Sequence, residues 1–100
     1  MRNMKNLELA LAVMATKHEW QVMCCMIAGQ SRFNEIMKSC GDMNQMTLSR
    51  TLRLLEGGGM IEKKKGKIFT AYAPTKLGRR FSMVLKSMEA FGGAIPISQK

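Results

Sequence analysis

Acidic residues are scarce in this chain. Seven Asp and Glu stand against sixteen Lys and Arg in 100 residues, giving a formal charge of +9 and a pI near 10.0. That balance favours a polyanionic partner without separating DNA from RNA or a membrane surface. Apolar runs are short as well. None approaches the roughly 20 residues that cross a bilayer, and LELALAVMA is too short, contains Glu8 and is closely followed by Lys17. It is not followed by a cleavage-like region, so no secretory signal and no membrane partner are expected. There are only three cysteines, an odd number that argues for reduced thiols over a disulfide framework. The expected compartment is the cytoplasm, with the protein on the nucleoid. His18 is the single histidine, and a zinc site would need Cys40 or carboxylates drawn in, which no spacing requires. Catalysis lacks its parts: there is no phosphate-cradling glycine loop, no metal-ligand pair at helical spacing and no nucleophile with a candidate base. Neither an enzyme nor a cofactor is expected. No repeat or low-complexity linker divides the chain, whose length suits one compact domain, placed at 1–92 with a loose tail at 93–100.

What is present is unevenly distributed. Residues 1–56 carry seven Lys/Arg against five Asp/Glu, whereas 57–100 carry nine against two, which concentrates the positive field in the second half. Eleven methionines are many for this length, and most fall at helical-core spacing, where flexible thioethers fill gaps. A first helix is expected from Lys5 to Thr16, apolar on most of its surface. Such a helix must be buried on more than one side, so a second subunit is expected to cover Leu7 and Leu11. Glu19 to Ala28 reads as a second helix with Trp20, Met23, Cys24 and Ile27 on one stripe, ended by Gly29. Cys24 and Cys25 diverge by about 100° on a helix and make a poor chelating pair, so they read as structural thiols. Trp20 reads as a core or interface anchor. Ser31 is the expected N-cap of a third helix striped by Phe33, Ile36, Met37 and Cys40, and Gly41 with Asp42 makes the next turn.

The stretch from Asn44 to Thr75 is the most informative. Asn44 caps a helix, MNQMTLSRTLRLLE, in which Leu48, Leu52 and Leu55 line one side. At about 100° per residue, Met46, Arg50 and Arg53 fall opposite them, with Thr47 and Ser49 on the flanks. Glycines 57–59 stop the helix. A strand then starts at Met60 and Ile61, Lys65-Gly66-Lys67 turns the chain, Ile68 to Ala73 returns as a second strand, and Pro74 closes it. Thr75 caps a last helix, to about Phe91, with Leu77, Phe81, Val84, Met88 and Phe91 spaced 4, 3, 4 and 3, a heptad-like seam suited to a partner helix. A helix with an apolar face and an Arg/Ser/Thr face, followed by a Lys-tipped ribbon, supplies the two elements a winged helix uses on duplex DNA. The expected fold is therefore α+β and mostly helical, a winged helix-turn-helix with a two-stranded hairpin wing and terminal helices forming a dimer interface.

The order of elements and several literal motifs resemble the HxlR-type branch of the MarR-like winged-helix transcriptional regulators, over roughly Leu7 to Phe91. QSRFNEIMKSC is similar to the family's helix opening with Arg-Phe-Asn-Glu-Leu, and MTLSRTLRLLEGGGMIEKK to its DNA-reading helix and first wing strand. YAPTKLG looks like the second wing strand running into a Leu-Thr-x-x-Gly helix start, and Trp20 matches a tryptophan near the start of the second helix. The resemblance implies a homodimeric regulator joined through its terminal helices, with the residue 44–56 helix in the major groove. The chain departs from the pattern in three places. His18-Glu19 stand where the family has Gly-Lys, a cysteine near the N-terminus that serves redox sensing in some members is absent, and the wing is shorter and lacks a Pro-rich element.

The residues assigned to double-stranded DNA are Ser31, Arg32, Asn44, Gln45, Thr47, Ser49, Arg50, Arg53, Lys63, Lys64, Lys65 and Lys67. Arg50 and Arg53 also read as plain solvated helix residues, but the adjacent hydroxyls, the cap and the hairpin favour contact, since Arg pairs bidentately with guanine and Ser/Thr bond bases or phosphate. The wing lysines equally serve to keep an edge hairpin from pairing with other chains; phosphate or minor-groove contact is the reading preferred. Met46 fits either a thymine methyl or packing. A homodimer regulating transcription is the leading expectation, with no effector specified by the residues. A small DNA-organising or plasmid-partition protein, or a winged helix that binds protein or RNA, remains open beside it.

Overall fold

The computed structural model describes residues 4–13, 17–41 and 43–99. Thr16, expected to end the first helix, Asp42, expected in a turn, and Lys100 of the expected tail lie outside them. The chain runs α1 (Met4–Val13), α2 (Lys17–Ile27), α3 (Phe33–Ser39), α4 (Gln45–Gly57), β1 (Ile61–Lys65), β2 (Thr70–Pro74) and α5 (Lys76–Ala94), and ends in a 3₁₀ turn over Pro96–Gln99. Among the described residues, five α-helices and one antiparallel two-stranded sheet make a winged helix. Regular structure thus extends into the segment expected to be a loose tail.

The core forms where the apolar stripes of α2, α3, α4 and α5 converge. Leu48, Leu52 and Leu55 of α4 are buried against Val22, Met23 and Met26 of α2, Ile36 and Cys40 at the end of α3, and Phe81 and Leu85 of α5. The stripes read from α3 and α4 are the ones buried, with Phe33 and Met37 packed at the margin. On α2 the buried face is Glu19, Val22, Met23 and Met26, with Trp20, Cys24 and Ile27 only half-buried. The buried stripe is therefore turned part-way round the helix from the expected one. WQVMCCMI is apolar on nearly every side, so periodicity does not fix which side meets the core. On α5, Gly78, Phe81, Ser82 and Leu85 face inward.

Both long interior turns are closed by glycine. After α2, Gly29 takes φ +109° while its N–H donates to Met26 and that of Gln30 to Cys25. After α4, Gly59 takes φ +79°, with the Gly59 N–H donating to Glu56 and the Met60 N–H to Leu55. These are paired C-terminal closures that place one residue in the left-handed region, where glycine carries no Cβ penalty. Of the run 57–59, Gly57 is still helical and Gly59 makes the turn.

Asn44 and Thr75 cap as expected: Asn44 Oδ1 accepts from the Thr47 N–H at 2.8 Å, and Thr75 Oγ1 from the Gly78 N–H at 3.0 Å. Ser31 does not cap α3. Arg32 occupies that position, and the Glu35 carboxylate reaches back to accept the N–H groups of Ser31 and Arg32 at 3.0 and 3.1 Å. The strands pair from Ile61 with Pro74 to Lys65 with Thr70, and the Gly66 N–H donates to the Phe69 carbonyl. Ile68 and Phe69 therefore belong to the turn, not to the second strand as expected. A further piece joins the sheet: Arg32 bridges Ala71, and the Tyr72 N–H donates to the Ser31 carbonyl at 2.7 Å. The segment before α3 thus borders the outer edge of β2.

Where α5 begins, the backbone of Gly78 lies against Met60. A Cβ at this position would collide with the Met60 carbonyl oxygen and crowd Met23 Cε at 3.2 Å. Gly78→Ala should therefore destabilise the domain by about 1–3 kcal/mol, the usual cost of forcing atoms into a packed core. Gly92→Ala, in the same helix with nothing within 4 Å of its Cβ, should be neutral or stabilising. Urea unfolding of both variants checks this; equal midpoints would show that α5 does not seat on Met60 as described.

Candidate nucleic-acid interface

Because its Leu face is buried, α4 presents the opposite face to solvent. Gln45, Met46, Arg50 and Arg53 are exposed, Met46 at 78%, and Thr47 and Ser49 are half-buried on the flanks. Of Met46's two sequence readings, packing inside this chain is thus the one the structure removes. Asn44, Gln45, Met46, Ser49 and Arg53 line an open groove along the first half of the helix. Ser49 and Arg53 also line a second groove with Phe33, Leu52, Glu56, Lys63 and Tyr72, which leads from α4 to the wing. Arg53 and Ser49 are the hinge between the two. Arg50 is exposed beside these grooves and lines neither.

Strand alternation explains how the wing meets α4. Ile61, which is buried, shares its face of β1 with Lys63 and Lys65, and Glu62 and Lys64 occupy the other. Lys63 is thereby carried into the groove opposite Tyr72, its cross-strand partner. Lys64 lies 3.6 Å from Glu62 in an exposed ion pair and shares its charge there. Lys65 and Lys67 flank the turn, whose outermost side chain is Ile68, 92% exposed. The twelve residues assigned to DNA therefore fall on α4 and on the wing, with Arg32 and Ser31 set against the wing strand β2.

Arg32 is held in place. Its guanidinium carbon lies 3.6 Å from the centroid of the Phe69 ring, a cation–π contact that leaves the guanidinium edge free to bond. Ser31 contributes backbone, its carbonyl to Tyr72 and its N–H to Glu35. Asn44 Oδ1 is engaged in capping, and the Thr47 carbonyl accepts from the buried Thr51 hydroxyl at 2.8 Å, so these two residues shape the helix end. The sequence alone assigns no role to Tyr72, Phe69 or Ile68. Only the Lys63–Tyr72 pairing marks Tyr72, and it follows from a register the sequence leaves open. Burial pushes the Tyr72 phenol above its ordinary value, and the nearby Glu56 carboxylate adds to this.

The expected dimer residues divide. Leu7 and Leu11 on α1, and Leu77, Val84, Met88 and Phe91 on α5, are exposed apolar side chains. Phe81 differs from these, being 7% exposed and packed mainly into the core of its own chain. Leu9 and Ala10 of α1 share an apolar groove with Leu77, Phe81 and Val84 of α5 and with Met60. Among the described residues no helix is long and apolar enough to cross a membrane, and no group of three or more His, Cys, Asp or Glu could hold a metal ion.

A model of the HxlR-like helix-turn-helix matches residues 13–98. The chain belongs to the HxlR-like helix-turn-helix family. Its fold and family are those of DNA-binding transcriptional regulators. The HxlR-like chain is 20% identical to the reduced form of the transcriptional regulator YodB from B. subtilis, with a TM-score of 0.81 over 95% of each chain. It is 20% identical to a MarR-family transcriptional regulator from Enterococcus faecalis V583, with a TM-score of 0.82 over 99% of this chain and 93% of the other. Against the redox regulator HypR in its reduced form, identity is 25% and the TM-score 0.81, over 96% of this chain and all of the other (100%). A comparison with curated proteins gives no match.

The joint between α3 and the wing has a pH signature. The Ser31 N–H, and after it the Arg32 N–H, hold the Glu35 carboxyl below its ordinary value. A carboxylate whose folded value is depressed adds stability that is fully present above its unfolded value and lost as pH falls through the folded one. Glu35→Gln should accordingly lose less stability than wild type between about pH 6 and about pH 3, because its side chain does not titrate. Urea midpoints at both pH values measure this, and equal losses would contradict the assignment.

Proposed function

We propose that this HxlR-like protein is a sequence-specific homodimeric transcriptional regulator that lays α4 in the major groove and grips the flanking backbone or minor groove with its wing. The observation that carries this reading is the groove in which Ser49 and Arg53 of α4 meet Lys63 of the wing. A helix contacting base edges and a basic ribbon on the neighbouring phosphates need that adjacency, since base contacts specify and phosphate contacts position. Gln45, Ser49, Arg50 and Arg53 supply the side-chain types that read base edges. Lys63, Lys65 and Lys67 supply the phosphate contacts, with Arg32, steadied on Phe69, beside them. The names of YodB, a transcriptional regulator, and HypR, a redox regulator, support the same assignment.

The test starts with DNA selected by the protein from a random pool. Arg53→Ala and Arg50→Ala should each lose about 1–3 kcal/mol of discrimination between selected and random duplex if the arginine makes a bidentate base contact. Replacing Lys63, Lys64, Lys65 and Lys67 by Ala should weaken all duplexes alike and flatten log affinity against log salt by about 0.9 for every phosphate no longer neutralised. Selection of no preferred sequence would contradict a sequence-specific regulator and favour a DNA-organising role. Salt-insensitive binding would contradict a DNA role altogether.

Support for the dimer comes from apolar surface that the single chain leaves open. Leu7 and Leu11 on α1 and the Leu77, Val84, Met88 and Phe91 seam on α5 fit a two-fold interface in which the same patch meets itself. Val84→Glu or Met88→Glu should dissociate the dimer, because an unpaired carboxylate in a desolvated interface is costly. Sedimentation and DNA affinity measured on the same samples check it. A monomeric wild type at binding concentrations, or dimeric variants with unaltered affinity, would remove this interface.

A further inference from the structure

Helices α2 and α3 bring together two thiols fifteen residues apart in sequence. Cys25 Sγ lies 3.4 Å from Cys40 Sγ, with Cys25 half-buried in the last turn of α2 and Cys40, 3% exposed, at the C-cap of α3. Neither is in a disulfide. A disulfide needs its sulfurs about 2.05 Å apart, so closing the bond asks for a relative shift of little more than an ångström. We propose that Cys25 and Cys40 form a reversible intrachain disulfide under peroxide, and that this bond switches the affinity of α4 for DNA. Its consequence rests on the DNA-binding reading above. The site is distinct from the N-terminal cysteine to which the family resemblance attaches redox sensing, which this chain lacks.

Exposure sets the order of the chemistry. Cys25, the more accessible of the two, attacks one peroxide oxygen as the thiolate; the O–O bond breaks, the departing oxygen leaves as water, and Cys25 becomes a sulfenic acid. The Cys40 thiolate then attacks the Cys25 sulfur, the S–O bond breaks, a second water leaves and the S–S bond forms. Two thiols have given up two electrons and two protons, and one hydrogen peroxide has become two waters. Cys24 is a weak competitor, because burial, and then the neighbouring Cys25 and Glu89, push its thiol up against a smaller opposing effect of Lys86.

The backbone at Cys40 conveys the change to α4. Its N–H donates to the Ile36 carbonyl at 2.9 Å, and its carbonyl accepts from the Met43 N–H at 2.7 Å, one residue before the Asn44 cap of α4. Drawing Cys40 onto α2 pulls on the short turn from which the N-terminal end of α4 hangs. Gln45, Met46 and Ser49 sit on that end, and base-edge hydrogen bonds weaken steeply as distance and angle depart from their optima.

The test treats the full-length protein with hydrogen peroxide, followed by dithiothreitol. Intact mass, peptide mapping and affinity for the DNA it selects when reduced are read at each stage. The expected result is a loss of two hydrogens, a peptide linking Cys25 to Cys40, and an affinity about tenfold or more weaker that recovers on reduction. Cys25→Ser, half-buried and so tolerated by the fold, should abolish both link and response, as should Cys40→Ala; Cys24→Ser should keep both. Sulfinic acid at Cys25, disulfides between chains, or a Cys25–Cys40 link that leaves affinity unchanged would each overturn the proposal. Should the reduced protein select no DNA, the function proposed above fails by itself, and the linked peptide alone decides the disulfide.

Discussion

One threonine ties α4, the wing and α5 together. The Thr75 hydroxyl donates to the Gly59 carbonyl at 2.6 Å and accepts from the Gly78 N–H at 3.0 Å, while its own N–H donates to the Met60 carbonyl at 3.0 Å. Gly59 is the turn after α4, Met60 leads into β1, Thr75 leaves β2 and Gly78 lies in the first turn of α5. The end of α4, both strands of the wing and the first turn of α5 therefore meet at one knot of short-range bonds, and the bare Cα of Gly78 lets α5 close upon it. Without this knot the hairpin would be a two-stranded ribbon on a flexible stem, of marginal stability alone. With it, Lys63 and Arg53 line one groove in the free chain.

Much of this is legible in the chain. Leu48, Leu52 and Leu55 repeat on one side of a helix whose other residues are mostly polar or charged, so only one orientation buries carbon and solvates charge; Asn44 and Thr75 are residues whose side chains accept from a helix N-terminus. The features that escape have equally physical causes. The apolar surround of α2 gives periodicity no direction. Ile68 and Phe69 are strand-forming types, but the Gly66 to Phe69 bond takes them into the turn. The bridge from Arg32 to Ala71 involves a segment too short to carry an alternating pattern. Phe81 fits the 4-3-4-3 seam and the inward face of α5 equally well by spacing, and only the packing of α5 on α2 chooses between them. At the candidate interface the α4 residues are readable, whereas the roles of Phe69 and Tyr72 depend on contacts between distant parts of the chain.

Arg53 of α4 and Lys63 of β1 share the groove between those elements, and exposed Leu, Val, Met and Phe side chains lie on α1 and α5. A domain of this size buries only part of its apolar surface by folding alone, and a second copy, as proposed above, would cover more of it. The same arrangement would repeat the α4 surface about a two-fold axis, which converts one weakly discriminating helix into a pair with a defined spacing.

That spacing is directly observable on DNA. Hydroxyl-radical footprinting of the protein on its selected site reads the protection of both backbones at single-nucleotide spacing. The account predicts two protected patches of like pattern, related by a pseudo-palindrome and separated by about one helical turn, near 10 bp, or a multiple of it, with flanking protection that disappears when the wing lysines are removed. A single asymmetric patch, or uniform protection along any duplex, would contradict it.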